Sequence, residues 1–541
     1  EYEGNISSNG AYTFSKDSVI TITNPEDQSG AIAAGSDLTI KADKNLSLKV
    51  TGSNTDSFGL VQESGKKVVI DAKNLNIDVS NNKGRADAIH VYGSSNGTRS
   101  SLTINGNLNM KATHDKTAGI EGGYTLGAYA NHADVVINGN VTSAIDAGSG
   151  ANAYYGASHL YVSGATGVQN EGYKGGTLTV NGNVDLSGTA QGLFANIGGA
   201  VLTVNGGGKI VLDKNEAKNA GYAAIRAEDS FVNMNVKLDE AGKATGGLGK
   251  DVVIEGNVAS SVGAVNSIDT NGTMTRINLA LDTEKSSLHG VVINGFDRID
   301  GTTGIDTEAD EGGSESKHFT GENNLWLQNG AEWNNEMYGK MKFFADDKYK
   351  APFQGSHVTN FTGGSDAAHT GYIVQNDDNK LTFDKYSGYT TIFYAHNTNT
   401  DLEDLDEDDP QYTEDASKLD GSASWHYYGG DTIIKSAAAG SNITLVTDNA
   451  NIDTANGEQV EKVLNALAGK LYYNAYVNNE RNLAGTVSIA DGLTASSFTK
   501  TYNSGDITFD NKTGQGSYVK AEAPVQTEFT TQIQGFAARD T

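Results

Sequence analysis

The residue types that could carry chemistry are scattered along this chain, and few of them have a spacing that a known reaction requires. The segment Gly93 to Gly97 fits the G-x-S-x-G pattern of a serine nucleophile, but that turn joins a strand to a helix. Here the alternating residues that follow predict a strand at Ser101 to Asn105. The ten histidines form no H-x-x-x-H pair. We therefore expect a polar loop at Gly93 and no catalytic or metal-binding residues.

An acidic run lies in the C-terminal half. Asp401 to Asp409 reads DLEDLDEDD, which is seven carboxylates in nine residues, and Pro410 follows. Oxygen ligands at this density could hold Ca²⁺. The run lacks the glycine-punctuated spacing of a calcium loop, and blocks of like charge are usually solvated. We predict an acidic loop over residues 401–415, with loose calcium binding as the alternative and no other cofactor.

Tyrosine, with 24 residues, is the most abundant aromatic residue and is locally concentrated. An exposed tyrosine offers a large contact area at a small entropy cost, so a cluster of them can form a binding surface. Tyrosine is also a good strand former, so packing on a sheet is the alternative. The candidate surface contact residues are Tyr124, Tyr129, Tyr154, Tyr155, Tyr161 and Tyr173.

Composition excludes several classes of partner. The 541 residues include 67 acidic and 39 basic ones, which gives a formal net charge of −28. Such a surface repels nucleic acid and anionic lipid. Cysteine is absent, so packing and strand pairing alone must stabilise the fold. No run of 18 apolar residues predicts a membrane helix, and Glu1 follows no apolar leader, so we expect a signal sequence to have been removed.

A short repeat organises the first 300 residues or so. A strand of alternating apolar residues and threonine is followed by Asn-Gly and a second strand, as in LTINGNLNM at Leu102 and LTVNGNVDL at Leu178. Segments such as GLFANIGGA before Leu202 supply a third strand. The most compact copy, Gly192 to Leu212, fits three strands into 21 residues. This pattern predicts one coil of a right-handed, three-sided parallel β-helix.

The repeat also predicts which side chains face inward. Alternation places one set of apolar residues in the core and the threonines between them outside. The inward set is Leu102, Ile104, Val135, Ile137, Leu178, Val180, Leu202 and Val204, and the outward set is Thr103, Thr179 and Thr203.

Asn-Gly pairs recur at one place in each repeat. They are Asn105-Gly106, Asn138-Gly139, Asn181-Gly182 and Asn205-Gly206. Asn-Gly also marks hairpin turns, so an antiparallel β-sandwich is the alternative fold. A corner that requires a positive φ on every coil explains the recurrence better.

The last 200 residues resemble the passengers of autotransporters, the type V secretion proteins, of diderm Firmicutes. The resemblance rests on LWLQNGAEWN from Leu325, GSHVTNFTGG from Gly355, KLTFDKYSGYTTIFYAHN from Lys380, GGDTIIKSAAAGSNITLVTDN from Gly429 and the segment Val460 to Ser496. It implies further β-helix coils, display on the bacterial surface after export, and a membrane barrel that lies outside this chain.

These observations predict two regions and one function. Residues 1–318 are the repeat-rich β-helix, and residues 319–541 continue it, with a short amphipathic helix at about 458–477. The function predicted is adhesion to a host surface, matrix protein or glycan, to other bacteria, or to a second copy, without catalysis. A secreted enzyme, above all a β-helical polysaccharide lyase or hydrolase, is the alternative, because paired carboxylates can come from neighbouring coils.

Overall fold

In a computed structural model of the chain, the described residues are 2–3, 5–7, 9–26, 29–53, 56–94, 98–114, 125–147, 157–164, 175–196, 198–214, 223–261, 275–294, 321–339, 355–376, 379–395, 430–448, 452–474, 482–491 and 500–522. The fold is all-β, and its strands stack in parallel in the manner of a β-helix-like solenoid. Most strands pair in parallel with their counterparts in the preceding and following repeats. The antiparallel sandwich that Asn-Gly could also indicate is therefore wrong.

The strands form three parallel ladders, called A, B and C below. Ladder A consists of Gly10–Phe14, the first parts of Leu38–Gly52, Lys67–Asn81 and Ser101–His114, then Asp134–Ile137, Thr177–Val180, Val201–Val204, Phe231–Met234, Arg276–Leu281, Glu322–Leu327, Ser356–Thr362, Leu381–Ser387, Thr432–Ile434 and Leu471–Tyr473.

Ladder B follows ladder A in each repeat. It consists of Tyr2–Glu3, Ser18–Thr23, the second parts of the three long strands, Val141–Asp146, Val184–Gly188, Gly208–Leu212, Val252–Glu255, Ser287–His289, Glu332–Asn334, Gly371–Gln375, Tyr389–Tyr394, Ser441–Asp448 and Leu483–Asp491.

Ladder C precedes ladder A in each repeat. It consists of Ser29–Ala34, Ser57–Gln62, Ala86–Tyr92, Thr125–Asn131, Ala157–Ser163, Gln191–Asn196, Ile225–Glu228, Val258–Ser261 and Val292–Asn294. After Asn294 the described residues continue only ladders A and B. The segment from Gly192 to Leu212 contributes one strand to each ladder, as its spacing predicts.

The C-terminal end departs from the parallel pattern. Lys500–Phe509 pairs antiparallel with Leu483–Asp491, and Gly516–Lys520 pairs antiparallel with Lys500–Phe509. Elsewhere in the chain, Val236–Leu238 and Ala244–Gly247 form an antiparallel hairpin. A 3₁₀ turn spans Ala367–His369.

The predicted amphipathic helix is present but shorter than the sequence suggested. It spans Gly457–Ala468, and its buried side chains join the main core. The side chain of Asn456 accepts a hydrogen bond from the Gln459 amide at its start. The prediction of an end near residue 477 was wrong, because Leu471–Tyr473 forms a strand that pairs with Thr432–Ile434. The apolar Leu471 that matched the helical spacing faces the core from this strand instead.

The apolar column that the repeat predicts is confirmed. All eight predicted inward side chains, including Leu102, Val135 and Leu178, are at most 1% exposed. Each lies directly above its counterpart, as in the register Leu102 to Val135 to Leu178. Because parallel neighbours are about 4.8 Å apart, every coil adds its apolar residues to one continuous core.

The recurring glycines serve a different purpose from the one predicted. Of the four Asn-Gly corners, only Gly106 has a positive φ, at 135°, so the expectation was wrong at the other three. At Gly139 a Cβ atom would lie 2.1 Å from the carbonyl oxygen of Gly106, and at Gly182 it would lie 2.3 Å from that of Gly139. The corners between ladders A and B therefore require glycine because one backbone stacks directly on the next.

Asparagine side chains link the same corners from coil to coil. The Asn138 amide donates to Asn105 Oδ1 at 2.7 Å, and the Asn181 amide donates to Asn138 Oδ1 at 2.7 Å. The Asn205 amide donates to Asn181 in turn, while Asn105 donates to the carboxylate of Asp71. A carboxylate can only accept, so Asp71 fits the acceptor end of this row and no other position in it.

We predict that Gly139→Ala destabilises the fold by about 1–3 kcal/mol, because the new methyl group meets a backbone oxygen that is fixed by the stack. Thermal unfolding followed by circular dichroism measures the effect. Gly246→Ala is the matched control, since nothing lies within 4 Å of a Cβ atom at Gly246. Equal melting temperatures for the two variants would contradict the role given to the glycine stack.

Asn138→Asp should cost about 1 kcal/mol, because aspartate cannot donate to Asn105 Oδ1 and places a negative charge against it. Asp71→Asn should leave stability nearly unchanged, since an amide oxygen can still accept from Asn105. Urea unfolding midpoints of both variants test the polarity of the row. The direction of hydrogen bonding that we assign to the row would be wrong if the two substitutions shifted the midpoint equally.

Candidate functional site

The predicted tyrosine cluster is only partly described, and its described members are not a free surface. Tyr124, Tyr154, Tyr155 and Tyr173 lie outside the described residues. Tyr129 and Tyr161 occupy equivalent positions on ladder C, and their rings stack 4.4 Å apart. Tyr161 is only 8% exposed and so offers little of its ring for contact, whereas Tyr129 is half-buried and its role as a contact residue stays a prediction. Packing on the sheet, the alternative, describes both.

These two tyrosines belong to a longer stack on ladder C, called the aromatic stack below. It comprises His90, Tyr129, Tyr161 and Phe194, which occupy one register position on successive coils. The ring of Phe194 lies 4.9 Å from that of Tyr161, and the Arg226 guanidinium lies 4.8 Å from the Phe194 ring on the next coil. Stacked and cation–π contacts of this kind stabilise buried rings.

Charged groups flank the aromatic stack and are themselves buried. Asp87 is fully buried and accepts hydrogen bonds from Arg85 Nη2 and His90 Nδ1, both at 2.9 Å. Further along, Arg226 donates to Glu228 Oε1 and to Gln191 Oε1 at 3.2 Å. Burying a charge is costly unless it is paired, so these pairs compensate one another within the ladder.

The Asp87–His90 pair resembles half of a catalytic triad, but no hydroxyl or thiol in the described part of the chain bonds to His90 Nε2. His90 Nε2 is buried and makes no hydrogen bond in the described part of the chain. Burial lowers the pKa of His90 below its ordinary value, although the hydrogen bond to Asp87 opposes this. A neutral imidazole with no hydroxyl beside it cannot activate one. The pair is therefore a packing element of ladder C.

A groove at the corner between ladders B and C is the better candidate for a binding site. It encloses about 400 Å³, within the range of small-molecule sites. Its lining is polar apart from one glycine and comes from four successive coils. The lining residues are Thr51, Gly52, Ser80, Asn81, Asn82, Thr113, His114 and Asp146. We call it the polar groove.

One side of the polar groove is a row of small polar side chains in register. Thr51 pairs with Ser80, Ser80 pairs with Thr113, and Thr113 pairs with Asp146. These residues follow the last inward apolar residue of their ladder B strand and so face outward. Thr23 extends the row by one coil beyond the groove. At about 4.8 Å per coil, Thr51 to Asp146 spans roughly 14 Å.

The other side of the polar groove is fixed by Asn81. Its Oδ1 accepts from the amides of Lys83 and Gly84 at 2.8 Å, and its Nδ2 donates to Ser57 Oγ at 2.9 Å. These bonds hold the turn that carries Asn82 into the lining. Gly52 lies in register with Asn81, and a Cβ atom there would meet Ser57 Oγ, so the corner is closely packed.

The described residues offer no metal-binding cluster, and the polar groove lacks the pair of carboxylates that glycoside hydrolysis requires. No group of three His, Cys, Asp or Glu residues among them could hold a metal ion. Only one carboxylate, Asp146, lines the polar groove, whereas hydrolysis requires two. Elsewhere His289 lies between Glu255, at 3.4 Å, and Glu336, at 3.1 Å, so the imidazole fills the space between these carboxylates.

Two other predicted features meet the limits of the described residues. The acidic loop over 401–415, with its alternative of calcium binding, lies outside them. So does Ser95, the central serine of the G-x-S-x-G pattern, but the strand Ser101–His114 that follows agrees with a polar loop and not with a nucleophile turn. In the part of the chain that is described, no helix has the length and apolar character needed to cross a bilayer.

Comparison with known proteins adds no relative. No protein-family model matches the chain, and neither a curated protein nor a solved structure is similar to it.

The polar groove was not predicted from sequence. The segments LKVTG, IDVSN and MKATH indicate its hydroxyl row, because in each of them a threonine or serine follows the last inward residue of the strand. Only the strand register shows that these residues are neighbours.

His159 is buried, as His90 is, and provides a pH-dependent test of the core. It is fully buried, and its Nδ1 lies 2.7 Å from Ser143 Oγ on ladder B. Burial lowers its pKa from 6.5 to about 3. The folded chain therefore holds the neutral imidazole, whereas the unfolded chain takes up a proton below about pH 6.5.

We predict that buried, neutral His159 lowers the free energy of unfolding at acidic pH. The effect should begin below about pH 6.5 and grow as the pH falls towards 3. At pH 4 the loss should be roughly 3 kcal/mol. Urea midpoints at pH 7 and pH 4 measure it, and His159→Gln should reduce the difference between them because glutamine does not titrate. An unchanged difference in this variant would show that His159 is protonated in the folded chain.

Proposed function

We propose that this chain is the surface-displayed passenger of an autotransporter and acts as an adhesin. In this proposal the stack is a right-handed, three-sided β-helix. Three ladders per repeat up to Asn294 support the three sides, and the strong preference of parallel crossovers for one hand supports the handedness. The resemblance of the last 200 residues to autotransporter passengers supports export to the bacterial surface.

The observation that carries the adhesive function is the long uninterrupted stack. In the described part of the chain, ladder A alone contains fourteen strands, so at about 4.8 Å per step it extends over roughly 60 Å. Outward, partly exposed positions along it carry polar side chains that bond from coil to coil, such as Asn324 and Asn360. A rigid surface of this length suits contact with a host surface, a matrix protein or glycan, another bacterium or a second copy of the chain.

The net charge of the chain and the side chains of the polar groove restrict which partners and activities we propose. A net charge of −28 does not favour nucleic acid or insertion into an anionic membrane as partners. The polar groove holds a single carboxylate, which favours binding over glycan cleavage there. The chain is therefore proposed to bind without altering its ligand.

Deleting the chain from the producing cell should abolish or strongly reduce its attachment to surfaces or its aggregation, because the extended surface would no longer be displayed. Attachment and sedimentation assays compare the deletion strain with the complemented strain. The proposal fails if both properties are unchanged. It also fails if the purified chain releases products from a panel of polysaccharides, since the enzyme alternative would then hold.

A further inference from the structure

We infer that His289 is a pH-sensitive clamp, which holds a neighbouring segment of the chain more tightly in mildly acidic than in neutral solution. The segment is residues 335–339, called the strap below, which follow the ladder B strand Glu332–Asn334. The inference does not rest on the adhesive function proposed above.

The strap runs back along the stack, across the corner between ladders B and C. In the preceding repeat, Ser287–His289 of ladder B is followed by a strand of ladder C. After Glu332–Asn334 the chain instead reaches Asn257, two coils earlier. The Asn257 side chain donates to the Tyr338 carbonyl and accepts from the Tyr338 amide, both at 3.0 Å. The Tyr338 hydroxyl donates to the Leu212 carbonyl at 2.8 Å, one coil further back. The strap therefore ties successive coils together.

His289 lies beside the strap, with a carboxylate at each ring nitrogen. Its Nε2 lies 3.1 Å from Glu336 Oε2 in the strap, and its Nδ1 lies 3.4 Å from Glu255 Oε2 on the preceding coil. The Tyr338 ring meets the imidazole edge to face at 5.3 Å, and Lys214 Nζ lies 4.9 Å from the centre of the same tyrosine ring. The His289 side chain is 21% exposed, so it can take up a proton without opening of the strap.

The two protonation states of His289 differ in how many carboxylates they can satisfy. A neutral imidazole carries one N–H, so it can donate to Glu336 or to Glu255 but not to both. The protonated ring can donate to both and places a positive charge between two negative ones. Because Glu336 belongs to the strap and Glu255 to the stack, protonation of His289 strengthens the link between strap and stack.

Two further titratable groups face His289. Burial raises the pKa of Tyr338 to about 12, so its hydroxyl stays neutral over the range in which histidine side chains ordinarily titrate. Burial also raises the pKa of Glu332, and the charge of His289 opposes this rise. Glu332 lies on the ladder B strand and not in the strap, so its substitution separates its titration from that of His289.

Hydrogen exchange at the Tyr338 amide tests the clamp, because this amide bonds to buried Asn257 only while the strap is in place. It is measured on the purified full chain at pH 5.5 and pH 8, and each rate is divided by that of an unstructured peptide at the same pH. Protection should be about two- to fivefold greater at pH 5.5. Amides of Ser441–Asp448, a ladder B strand beyond the strap, report any change in global stability.

Three variants assign the effect. His289→Gln should remove the difference between the two pH values, because glutamine does not titrate. Tyr338→Phe loses the bond to the Leu212 carbonyl, so it should lower protection at both pH values and keep their ratio. Glu332→Gln should also keep the ratio. The clamp is overturned by equal protection at both pH values, by greater protection at pH 8, or by a ratio that persists in His289→Gln. Loss of the ratio in Glu332→Gln overturns it too, since Glu332 would then be the titrating group.

Discussion

In each ladder, parallel strands stack in register about 4.8 Å apart. The nearest side chain on the same face of the ladder is therefore the one at the same position one coil away. Every other feature of this chain depends on that constraint. Leu102, Val135 and Leu178 are distant in sequence but form one apolar column because the backbone hydrogen bonds hold them in line. The same rule applies to polar and charged residues, so each ladder is a set of vertical rows of like or complementary side chains.

The corners between ladders A and B show how strict this constraint is. The backbone at Gly139 approaches that at Gly106 too closely for any side chain, while the adjacent asparagines bond in a single direction along the stack. Ladder C obeys the same rule with larger groups, since His90 meets Tyr129 edge to face and Tyr129 stacks on Tyr161. Its buried charges are tolerated because partners such as Arg85 and Asp87 are carried by the same ladder.

The stack also determines where a ligand could bind. Rows whose members satisfy one another, such as the asparagines at the corners, stabilise the fold and have little left for a partner. The row of Thr51, Ser80 and Thr113 instead borders the polar groove, so its outward side chains line a recess in the surface of the stack.

The sequence alone determined the all-β fold, the inward apolar residues and the presence of the helix, because alternation and helical spacing are local patterns that the buried face of each element must keep. It did not determine the helix end, since pairing of Leu471–Tyr473 with a distant strand competes with helical spacing. Nor did it show why the corner glycines recur, that Tyr161 is buried, or that Thr51 and Thr113 share a groove. Those facts depend on the register between coils, which hydrogen bonds between residues far apart in the chain set and which only the tertiary structure decides.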